Sequence, residues 1–593
     1  MAQLTPLSKV LILTVVVGGV GFAAYKMKDK IAPPAQNQVT SNVPPTASLP
    51  GGQGAGTTAA TPKAMPVGLP PGCTDKPEVR FFLWAWNAQT GLMHATGGKQ
   101  STADSLMCKN GVNLKLIRED NTDHMQAFMM SFAERHKAGE AHPKEGAHFV
   151  AIMGDGGANF LKGLNDRLVK LGDEYLAVVV GSAGYSRGED KFMGPPQWKA
   201  NPQAARGGLV AGYLRDGDWN IALKWLGDNQ IPNNPDEKTY DPSALNWVAA
   251  SDYLDAAEKY ISGYCEERKN TQTGKVEKYC VQGAVTWTPG DVNIATKKGG
   301  LVSIVSTREY RSQMPNVIIG HKVWMSQNRE LVKGMLRATF EGGDQVKADP
   351  AALRHGAEVS ALVYNEGDAD YWVKYFNVVT ETDKQGLEVE LGGSSVNNLA
   401  DNLQTFGLVP GSTNLFAATY EVFANIVRSQ YPDLLPTWYP AARITDTSYI
   451  QELLRTEAPK TAPDLPKFEA AAPVKQIISR RSWQITFESG SARFSGSGES
   501  ELSKLLDDLV IAGGTIVEVH GHTDNKGSLN GNQALSEERA FAVKGWLEQQ
   551  SATNFPQGRV RVHAHGQSEP LESNTTEIGR SKNRRVEVVL GTN

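Results

Sequence analysis

The stretch IVEVHGHTDNKGSLNGNQALSEERAFA, residues 516–542, contains three local patterns in succession. Its first four residues are mostly β-branched and predict a strand, and the turn-rich GHTDNKG that follows predicts a loop. From about Asn530 the apolar residues recur at helical spacing, so we expect a helix with one buried face. This order places Asp524 in a loop at the end of a strand and Arg539 on the next helix.

Asp524 and Arg539 carry opposite charges that suit a ligand with both an ammonium and a carboxylate group. A carboxylate accepts hydrogen bonds from an ammonium, and a guanidinium binds a carboxylate with two parallel bonds. The alternative is that Asp524 only caps its loop and that Arg539 pairs with Glu537 or Glu538 on a solvated helix face. The residues by themselves leave both interpretations open.

Four segments in the last part of the chain occur in a characteristic order. They are ITFESGSARF (485–494), VHGHTDNKGS (519–528), NQALSEERA (532–540) and GRSKNRRVEV (579–588). Through them, residues 481–593 resemble the peptidoglycan-binding domain of the OmpA C-terminal family, which is also found in MotB and in peptidoglycan-associated lipoproteins. The resemblance implies a small α+β OmpA-like domain, for which we predict the bounds 479–593.

The resemblance also implies a ligand, the diaminopimelate of the peptidoglycan stem peptide. The acidic and basic ligand-binding positions of the family match Asp524 and Arg539. Further contacts around them are implied at four positions: Thr523, Asn525, Asn532 and Leu535. We expect Arg584 and Arg585, in NRRV, to form structural ion pairs instead.

His520 and His522 alternate on the predicted strand and therefore share one face, as a pair of metal ligands would. We place no cysteine and no third histidine near them. We therefore predict no metal site, and no cofactor is implied.

The region 73–455 alternates strand-like and helix-like segments, which predicts an α/β domain with mostly parallel sheets. Its size suggests two lobes. We expect helices over HMQAFMMSFAERHKAG (124–139) and LNWVAASDYLDAAEKYISGY (245–264). The predicted strands are VRFFLWAW (79–86), VNLKLIRE (112–119), HFVAIMGD (148–155) and YLAVVVGS (175–182).

Three segments of this region are similar to type 2 periplasmic solute-binding proteins, in particular the sulfonate and nitrate receptor group. They are WAWNAQTG (84–91), MPNVIIGHKVWMSQNRELVKGMLRATFEG (314–342) and SVNNLADNLQTFGLV (395–409). Such a fold would bind its solute between the lobes, close to helix N-termini that favour anions. The candidate loops are residues 86–91, 154–159, 181–187 and 287–291.

Within these loops we predict Trp86, Asn87, Arg187 and Trp287 as solute-binding residues. The indoles would form the walls of the cleft, and Arg187 would pair with a small anionic solute. The alternative is that each tryptophan belongs to the core and that the arginine is a surface or domain-closure residue.

The composition limits the class of protein. The chain has 593 residues, which is too long for one core, and two or three domains are expected. A net charge of −4 with 21% charged residues argues against nucleic-acid binding. For the four cysteines we predict two disulfides, Cys73–Cys108 and Cys265–Cys280, with four free thiols as the alternative.

The N-terminal part contains the charge-free run VLILTVVVGGVGFAAY (10–25). It predicts a transmembrane helix within an anchor at residues 1–30, or else the apolar core of a cleaved signal peptide. An ion-driven motor needs an ionisable side chain within the membrane. Thr14 is the only polar side chain of this run, so the sequence argues against such a motor. Linkers are predicted at 31–72, which is rich in Pro, Gly, Ala and Thr, and at 456–478.

Together these features predict a cell-envelope protein that passes once through the inner membrane and has periplasmic C-terminal domains. Its partners would be peptidoglycan and the cytoplasmic membrane, with a solute bound by the receptor-like middle domain. The alternative is a structural or motor-associated scaffold whose middle domain docks a membrane protein. No residue pattern indicates catalysis, so we do not expect an enzyme.

Overall fold

The structure is a computed structural model that describes residues 69–593 except 216, 471, 484 and 489. The predicted anchor at 1–30 and residues 31–68 of the first linker lie outside the described residues. Among the helices of the described part, none is long and apolar enough to cross a membrane. The described chain forms a large α/β region followed by a smaller C-terminal α+β region, as the sequence predicts, whereas the exact domain boundaries stay predictions.

A six-stranded sheet forms the first lobe of the large region. Its strands are β1 (Glu78–Leu83), β2 (Asn113–Arg118), β3 (Phe149–Met153), β4 (Ala177–Ser186), β13 (Pro315–His321) and β16 (Ser394–Val396). The strand order is β16-β4-β13-β3-β1-β2. Strands β3, β4 and β13 are buried along their whole length, which fits their apolar, β-branched composition. The four predicted strands correspond to β1 to β4 and are confirmed.

A five-stranded sheet forms the second lobe. Its strands are β5 (Lys191–Gly194), β6 (Leu209–Gly212), β8 (Asn246–Ala249), β11 (Gly283–Thr286) and β12 (Val302–Ser306). The strand order is β12-β5-β11-β6-β8. The chain crosses between the two sheets twice, after β4 and again between β12 and β13, which is why the region has two lobes.

The prediction of mostly parallel sheets was wrong, because both sheets are mixed. Strand β1 runs parallel to β2 and β3, and β6 runs parallel to β8 and β11. Strand β13 runs antiparallel to β3 and β4, and β5 runs antiparallel to β11 and β12. The reversed strands are those at which the chain passes from one lobe to the other, so they do not belong to right-handed βαβ units.

The helices of the large region cover both faces of the sheets. They are α1 (Thr90–Thr96), α2 (Leu106–Lys109), α3 (Thr122–Lys137), α4 (Gly157–Leu168), α5 (Pro196–Ala200), α6 (Gly217–Asp228), α7 (Tyr253–Ile261), α8 (Gly290–Lys297), α9 (Lys322–Gln327), α10 (Arg329–Ala348), α11 (Pro350–Tyr364), α12 (Ala369–Phe376), α13 (Leu399–Thr405), α14 (Leu415–Gln430) and α15 (Ser448–Thr456). The helix predicted over 124–139 is α3. The helix predicted over 245–264 is partly wrong, because β8 takes its first residues as a buried strand and only α7 is helical.

Two small antiparallel additions extend the second lobe. They are the hairpin of β9 (Cys265–Asn270) and β10 (Val276–Cys280), to which β7 (Thr239–Tyr240) adds, and the pair β14 (Val379–Thr382) and β15 (Glu388–Leu391). Cys265 and Cys280 face each other in the hairpin register and form a disulfide. Cys73 and Cys108 form the other. Both predicted disulfides are confirmed.

The C-terminal region is a four-stranded sheet with three helices. Its elements are β17 (Gln476–Trp483), α16 (Gly496–Ile511), β18 (Ile516–His522), α17 (Leu529–Gln550), β19 (Val560–Gly566), α18 (Glu577–Asn583) and β20 (Val586–Thr592). The strand order is β17-β20-β18-β19, with β18 and β19 parallel. The strand, loop and helix predicted from residues 516–542 are confirmed as β18, its following loop and α17.

The C-terminal region packs against the large region through the end of α16. Lys224 on α6 is buried and forms an ion pair with Asp508 on α16. The backbone N–H of Ser312 donates to the carbonyl of Ile511 at 3.1 Å. The apolar core is continuous across this contact.

Candidate functional site

Asp524 lies in the loop after β18, where its carboxylate is 7% exposed. One oxygen accepts the backbone N–H of Lys526 at 2.8 Å, which is the loop-capping role considered from the sequence. The other forms an ion pair with Arg584 at 2.6 Å. Arg584 also pairs with Glu577 at 2.8 Å, and these two carboxylates raise its pKa. Arg584 is therefore a structural ion-pair residue, as the sequence indicates, but its partner is a predicted ligand-binding residue.

Arg539 lies on α17 and is 7% exposed. Its Nε donates to the carbonyl of Ser491 at 3.1 Å, and its guanidinium carbon lies 4.8 Å from the ring centre of Phe487. Burial lowers the pKa of Arg539, and the nearby Arg584 lowers it further, whereas Asp524 partly offsets this. Its two terminal nitrogens have no hydrogen-bond partner among the described residues, so the anion-binding edge of the guanidinium is available.

The other residues predicted at this site differ in their surroundings. Asn532 is buried and donates from Nδ2 to the carbonyl of Asp524 at 3.1 Å and to Gln567 at 2.6 Å. Thr523 is buried, and its hydroxyl has no partner within the described part of the chain. Asn525 is exposed and Leu535 is half-buried. Asn532 thus holds the loop, while Thr523 offers a free hydroxyl beside Asp524.

The two histidines of β18 have neighbours that the sequence argument missed. His563 lies opposite His520 in the parallel register of β19, and the rings of His522 and His565 stack at 4.7 Å. The statement that no third histidine is nearby was therefore wrong, because strand pairing joins positions about forty residues apart. The sequence contains a sign of this cluster, because histidines alternate in both EVHGH and HAH. Alternate residues of a strand lie on the same face of its sheet.

Three of the four predicted solute-binding residues lie in two loops, one from each lobe, that a hydrogen bond joins. Trp86 and Asn87 follow β1 in the first lobe, and Trp287 follows β11 in the second. The indole N–H of Trp287 donates to the carbonyl of Ala85 at 3.2 Å, which connects the two loops. Four polar side-chain atoms are buried here without a partner among the described residues. They are the indole nitrogen of Trp86, the amide oxygen and nitrogen of Asn87, and the hydroxyl oxygen of Thr288. Such buried polar atoms indicate a site for water or for a polar ligand.

The charged groups on the crossover from β4 to β5 are mainly acidic. Glu189 and Asp190 are fully buried. Burial raises the pKa of both carboxyl groups, that of Asp190 to about 6, and Asp190 raises that of Glu189 further. The adjacent Lys191 is already paired with Asp291 at 2.5 Å. This arrangement favours a neutral or cationic solute over an anion.

The guanidinium of Arg187 is engaged by other residues of the protein. Its Nε lies 3.1 Å from a carboxylate oxygen of Asp464, which also pairs with Arg311 at 2.6 Å. Burial opposes the charged form of Asp464, but the two arginines outweigh it and hold its pKa below the usual range. The segment predicted as a candidate loop at 181–187 is mostly part of β4, so Arg187 comes at the end of a strand.

Comparison with known proteins identifies the C-terminal region. The OmpA family model matches residues 486–584. The outer-membrane lipoprotein YfiB of Pseudomonas aeruginosa is 32% identical over 107 residues, which are 18% of this chain and 62% of that protein. The peptidoglycan-binding protein ArfA of Mycobacterium bovis is 33% identical over 106 residues, which are 18% of this chain and 32% of that protein. The chain thus spans less than two thirds of either relative.

The large region has structural neighbours among solute receptors. The periplasmic nitrate-binding protein NrtA from Synechocystis PCC 6803 aligns with 61% of this chain and 92% of its own at 8% identity and a TM-score of 0.38. The two-lobed architecture described above rests on the strand order of this chain and not on that alignment.

Proposed function

We propose, from the OmpA family domain at residues 486–584, that this protein attaches noncovalently to peptidoglycan in the bacterial envelope. The supporting observation is the pair formed by the carboxylate of Asp524 and the partly unengaged, buried guanidinium of Arg539. The ammonium of a diaminopimelate residue would bind Asp524, and its carboxylate would bind Arg539. Thr523 and Asn525 would contact the ligand, while Asn532 and Leu535 would shape the loop and the helix around it.

For the ligand to bind at this site, Arg584 must share the carboxylate of Asp524 with the ligand or release it. The ligand ammonium would compete for the carboxylate oxygen that Arg584 contacts at 2.6 Å. Arg584 is about two-fifths exposed and keeps Glu577 as a second partner, so its displacement leaves it paired. The ion pair would therefore hold the carboxylate of Asp524 in its orientation until the ligand arrives.

The test is co-sedimentation of the full-length protein with insoluble peptidoglycan sacculi. We expect Asp524→Asn and Arg539→Ala each to weaken binding by about 2 to 5 kcal/mol, because each leaves one ligand charge buried without a partner. Glu501→Gln and Lys504→Ala are matched controls, since they remove an exposed pair of the same charges on α16 and should bind normally. Wild-type protein that stays in the supernatant would refute the proposal.

For the large region we propose a solute-binding role at the junction of Trp86, Asn87 and Trp287. The support is the group of buried polar atoms without partners at this junction. Because the crossover from β4 to β5 carries the acidic Glu189 and Asp190, and Asp464 engages its Arg187, we propose a neutral or cationic polar solute instead of the anion expected from the sequence. Arg187 is not part of this proposal, since Asp464 already engages it.

Native mass spectrometry of the full-length protein as purified tests this role. We expect a small molecule that remains bound to the wild type and to Trp438→Ala, which removes a half-buried indole elsewhere, and that is lost from Trp287→Ala. A protein that never carries a small molecule but captures an envelope membrane protein through this region would instead support the scaffold alternative.

We further propose that residues 1–30 tether the protein to the inner membrane and that residues 31–72 form the linker into the periplasm. The support is the charge-free apolar run at 10–25, together with the Pro- and Gly-rich composition that follows it. Membrane fractionation with and without residues 1–30 tests this, and a protein that stays soluble with them would contradict it.

A further inference from the structure

A ladder of four histidines crosses β18 and β19 on one face of the C-terminal sheet. The rings of His563 and His520 stack at 4.6 Å, those of His520 and His565 at 5.1 Å, and those of His565 and His522 at 4.7 Å. Glu518 shares this face, because it precedes His520 by two residues on the same strand. Neither the peptidoglycan site nor the solute site uses these groups.

Three donor atoms at one end of the ladder converge. The carboxylate of Glu518 lies 3.7 Å from Nε2 of His520 and 3.4 Å from Nε2 of His563. Ligands bound at about 2.0–2.1 Å around a tetrahedral zinc ion are separated by about 3.4 Å. The two separations go to different oxygens of Glu518 and are close to such an edge, and all three donors lie within 4.8 Å of one another.

The hydrogen bonds that link Nδ1 of His520 to His565, and His565 to Glu569, indicate which nitrogen of His520 carries the proton. Nδ1 of His565 lies 3.0 Å from Glu569, and Nε2 of His565 lies 2.8 Å from Nδ1 of His520. An ionised carboxylate can only accept, so Nδ1 of a neutral His565 donates to Glu569, and its Nε2 then accepts from Nδ1 of His520. His520 then has a bare lone pair on Nε2, directed towards the carboxylate of Glu518.

A bare nitrogen next to a carboxylate is unfavourable unless a cation or a hydrogen-bond donor such as water lies between them. Nε2 of His520 is buried and has no hydrogen-bond partner among the described residues. A histidine that binds a metal through one ring nitrogen commonly donates a hydrogen bond from the other, which orients the ring. The hydrogen bonds from His520 to His565 and from His565 to Glu569 would orient His520 in this way. The side chain of His563 is 43% exposed, so an ion can reach the group from solvent.

We propose that Glu518, His520 and His563 bind one divalent transition-metal ion of the zinc type, with water as the remaining ligand. His565 and Glu569 are positioning residues that keep Nε2 of His520 deprotonated. A second triad, His522, His565 and Glu569, is also close enough to bind an ion. It is the poorer choice, because both ring nitrogens of His565 are already used. The ion would fasten the edge strand β19 to β18.

The test is titration of untagged, chelator-treated full-length protein with Zn²⁺ by calorimetry, with Co²⁺ absorption as a second readout. We expect one equivalent to bind and Co²⁺ to give the visible spectrum of a tetrahedral nitrogen and oxygen site. Glu518→Gln and His563→Asn should abolish this binding. Glu569→Gln should weaken it about 10- to 100-fold and leave the Co²⁺ spectrum in place, because it acts through His565 and His520.

The matched control is His124→Asn, which removes an exposed histidine 3.3 Å from a carboxylate of Glu119 in the large region and should bind Zn²⁺ normally. Circular dichroism verifies that each variant is folded. Absence of stoichiometric binding by the wild type would overturn the proposal. So would normal binding by Glu518→Gln together with its complete loss in Glu569→Gln, since that result would assign the ion to the second triad.

Discussion

At the scale of single residues, Arg559 shows how a fully buried charge can be stabilised without an acidic partner. Its guanidinium donates to the carbonyls of Leu509 at 2.7 Å, Ala512 at 2.8 Å and Thr515 at 3.1 Å, and also to that of Asn554. Burial lowers its pKa to about 9. The carbonyls of Leu509 and Ala512 belong to the C-terminal end of α16, where the helix dipole favours a cation.

Arg559→Met should therefore lower the free energy of unfolding of the C-terminal region by about 3 to 5 kcal/mol, because it leaves buried carbonyls unsatisfied. Calorimetric melting of the full-length protein measures this as a lower midpoint for one transition. Arg561→Met is the control, since Arg561 lies two residues further on and its hydrogen bond to Glu469 is exposed. Equal midpoints for the two variants would show that the buried hydrogen bonds contribute little.

His321, at the end of β13, predicts a pH dependence of the large region. It is 1% exposed, stacks on Phe132 at 5.1 Å, and burial lowers its pKa to about 4, with His136 as a smaller cause. Between about pH 6.5 and 4 the unfolded chain binds a proton here that the folded chain does not. The contribution of His321 to the free energy of unfolding is therefore complete above pH 6.5. On the order of 3 kcal/mol of that free energy is lost as the pH falls to about 4.

Thermal melting between pH 7.5 and 4.5 tests this linkage. His321→Gln should lose less stability over this range than the wild type, whatever its stability at neutral pH. His124→Gln should keep the wild-type slope, because the side chain of His124 is 64% exposed. Identical slopes for all three proteins would exclude His321 as a source of the pH dependence.

At the scale of elements, the β9–β10 hairpin depends on its disulfide. Most of β10 is exposed, and besides its pairing with β9 it is held by the stacking of Tyr279 on Tyr240 at 3.6 Å. Cys265–Cys280 closes 15 residues, for which the loss of unfolded-state entropy corresponds to about 3 kcal/mol. The double substitution Cys265→Ser and Cys280→Ser should therefore speed hydrogen exchange in the hairpin.

The other disulfide provides the control for this element. Replacing Cys73 and Cys108 by serine removes a bridge of 35 residues in the first lobe and should leave exchange in the hairpin unchanged. Hairpin amides that exchange at the wild-type rate without Cys265–Cys280 would mean that the side-chain contacts of β9 are sufficient.

At the scale of the whole molecule, Gly514 makes a close backbone contact between the two regions. Its N–H donates to the carbonyl of Glu309 at 3.1 Å, and a Cβ at this position would lie 1.9 Å from the carbonyl oxygen of Arg308. Gly514→Ala should therefore separate the regions without unfolding either one. Limited proteolysis should then cleave the segment 457–475, between α15 and β17, faster.

Gly545→Ala is the matched control for this contact. Gly545 lies inside α17 with open space around it, so alanine should stabilise the helix by about 0.5 to 1 kcal/mol and leave linker cleavage unchanged. Unchanged cleavage in Gly514→Ala would show that the contact adapts by a local shift.

The sequence indicated local features correctly wherever neighbouring residues decide them. Strands β1 to β4, the loop of Asp524 and the helix of Arg539 all follow from apolar periodicity and turn residues. The direction of the strands did not follow, because it depends on how the chain crosses between the lobes. The burial of Arg187 against Asp464 was missed for a similar reason, since 277 positions separate the two residues.

The amino-acid sequence by itself therefore indicated the order of the regions and determined which residue types stand at the end of β18, but it left two disulfides and four free thiols as alternatives. The tertiary structure alone decided that Arg584 meets Asp524, that Arg539 keeps free nitrogens, and that His563 lies beside His520. Hydrophobic period and turn chemistry act between near neighbours, whereas these contacts arise only when strand register joins distant parts of the chain. A one-residue shift of β19 against β18 would move His563 to the opposite face and remove the proposed metal site.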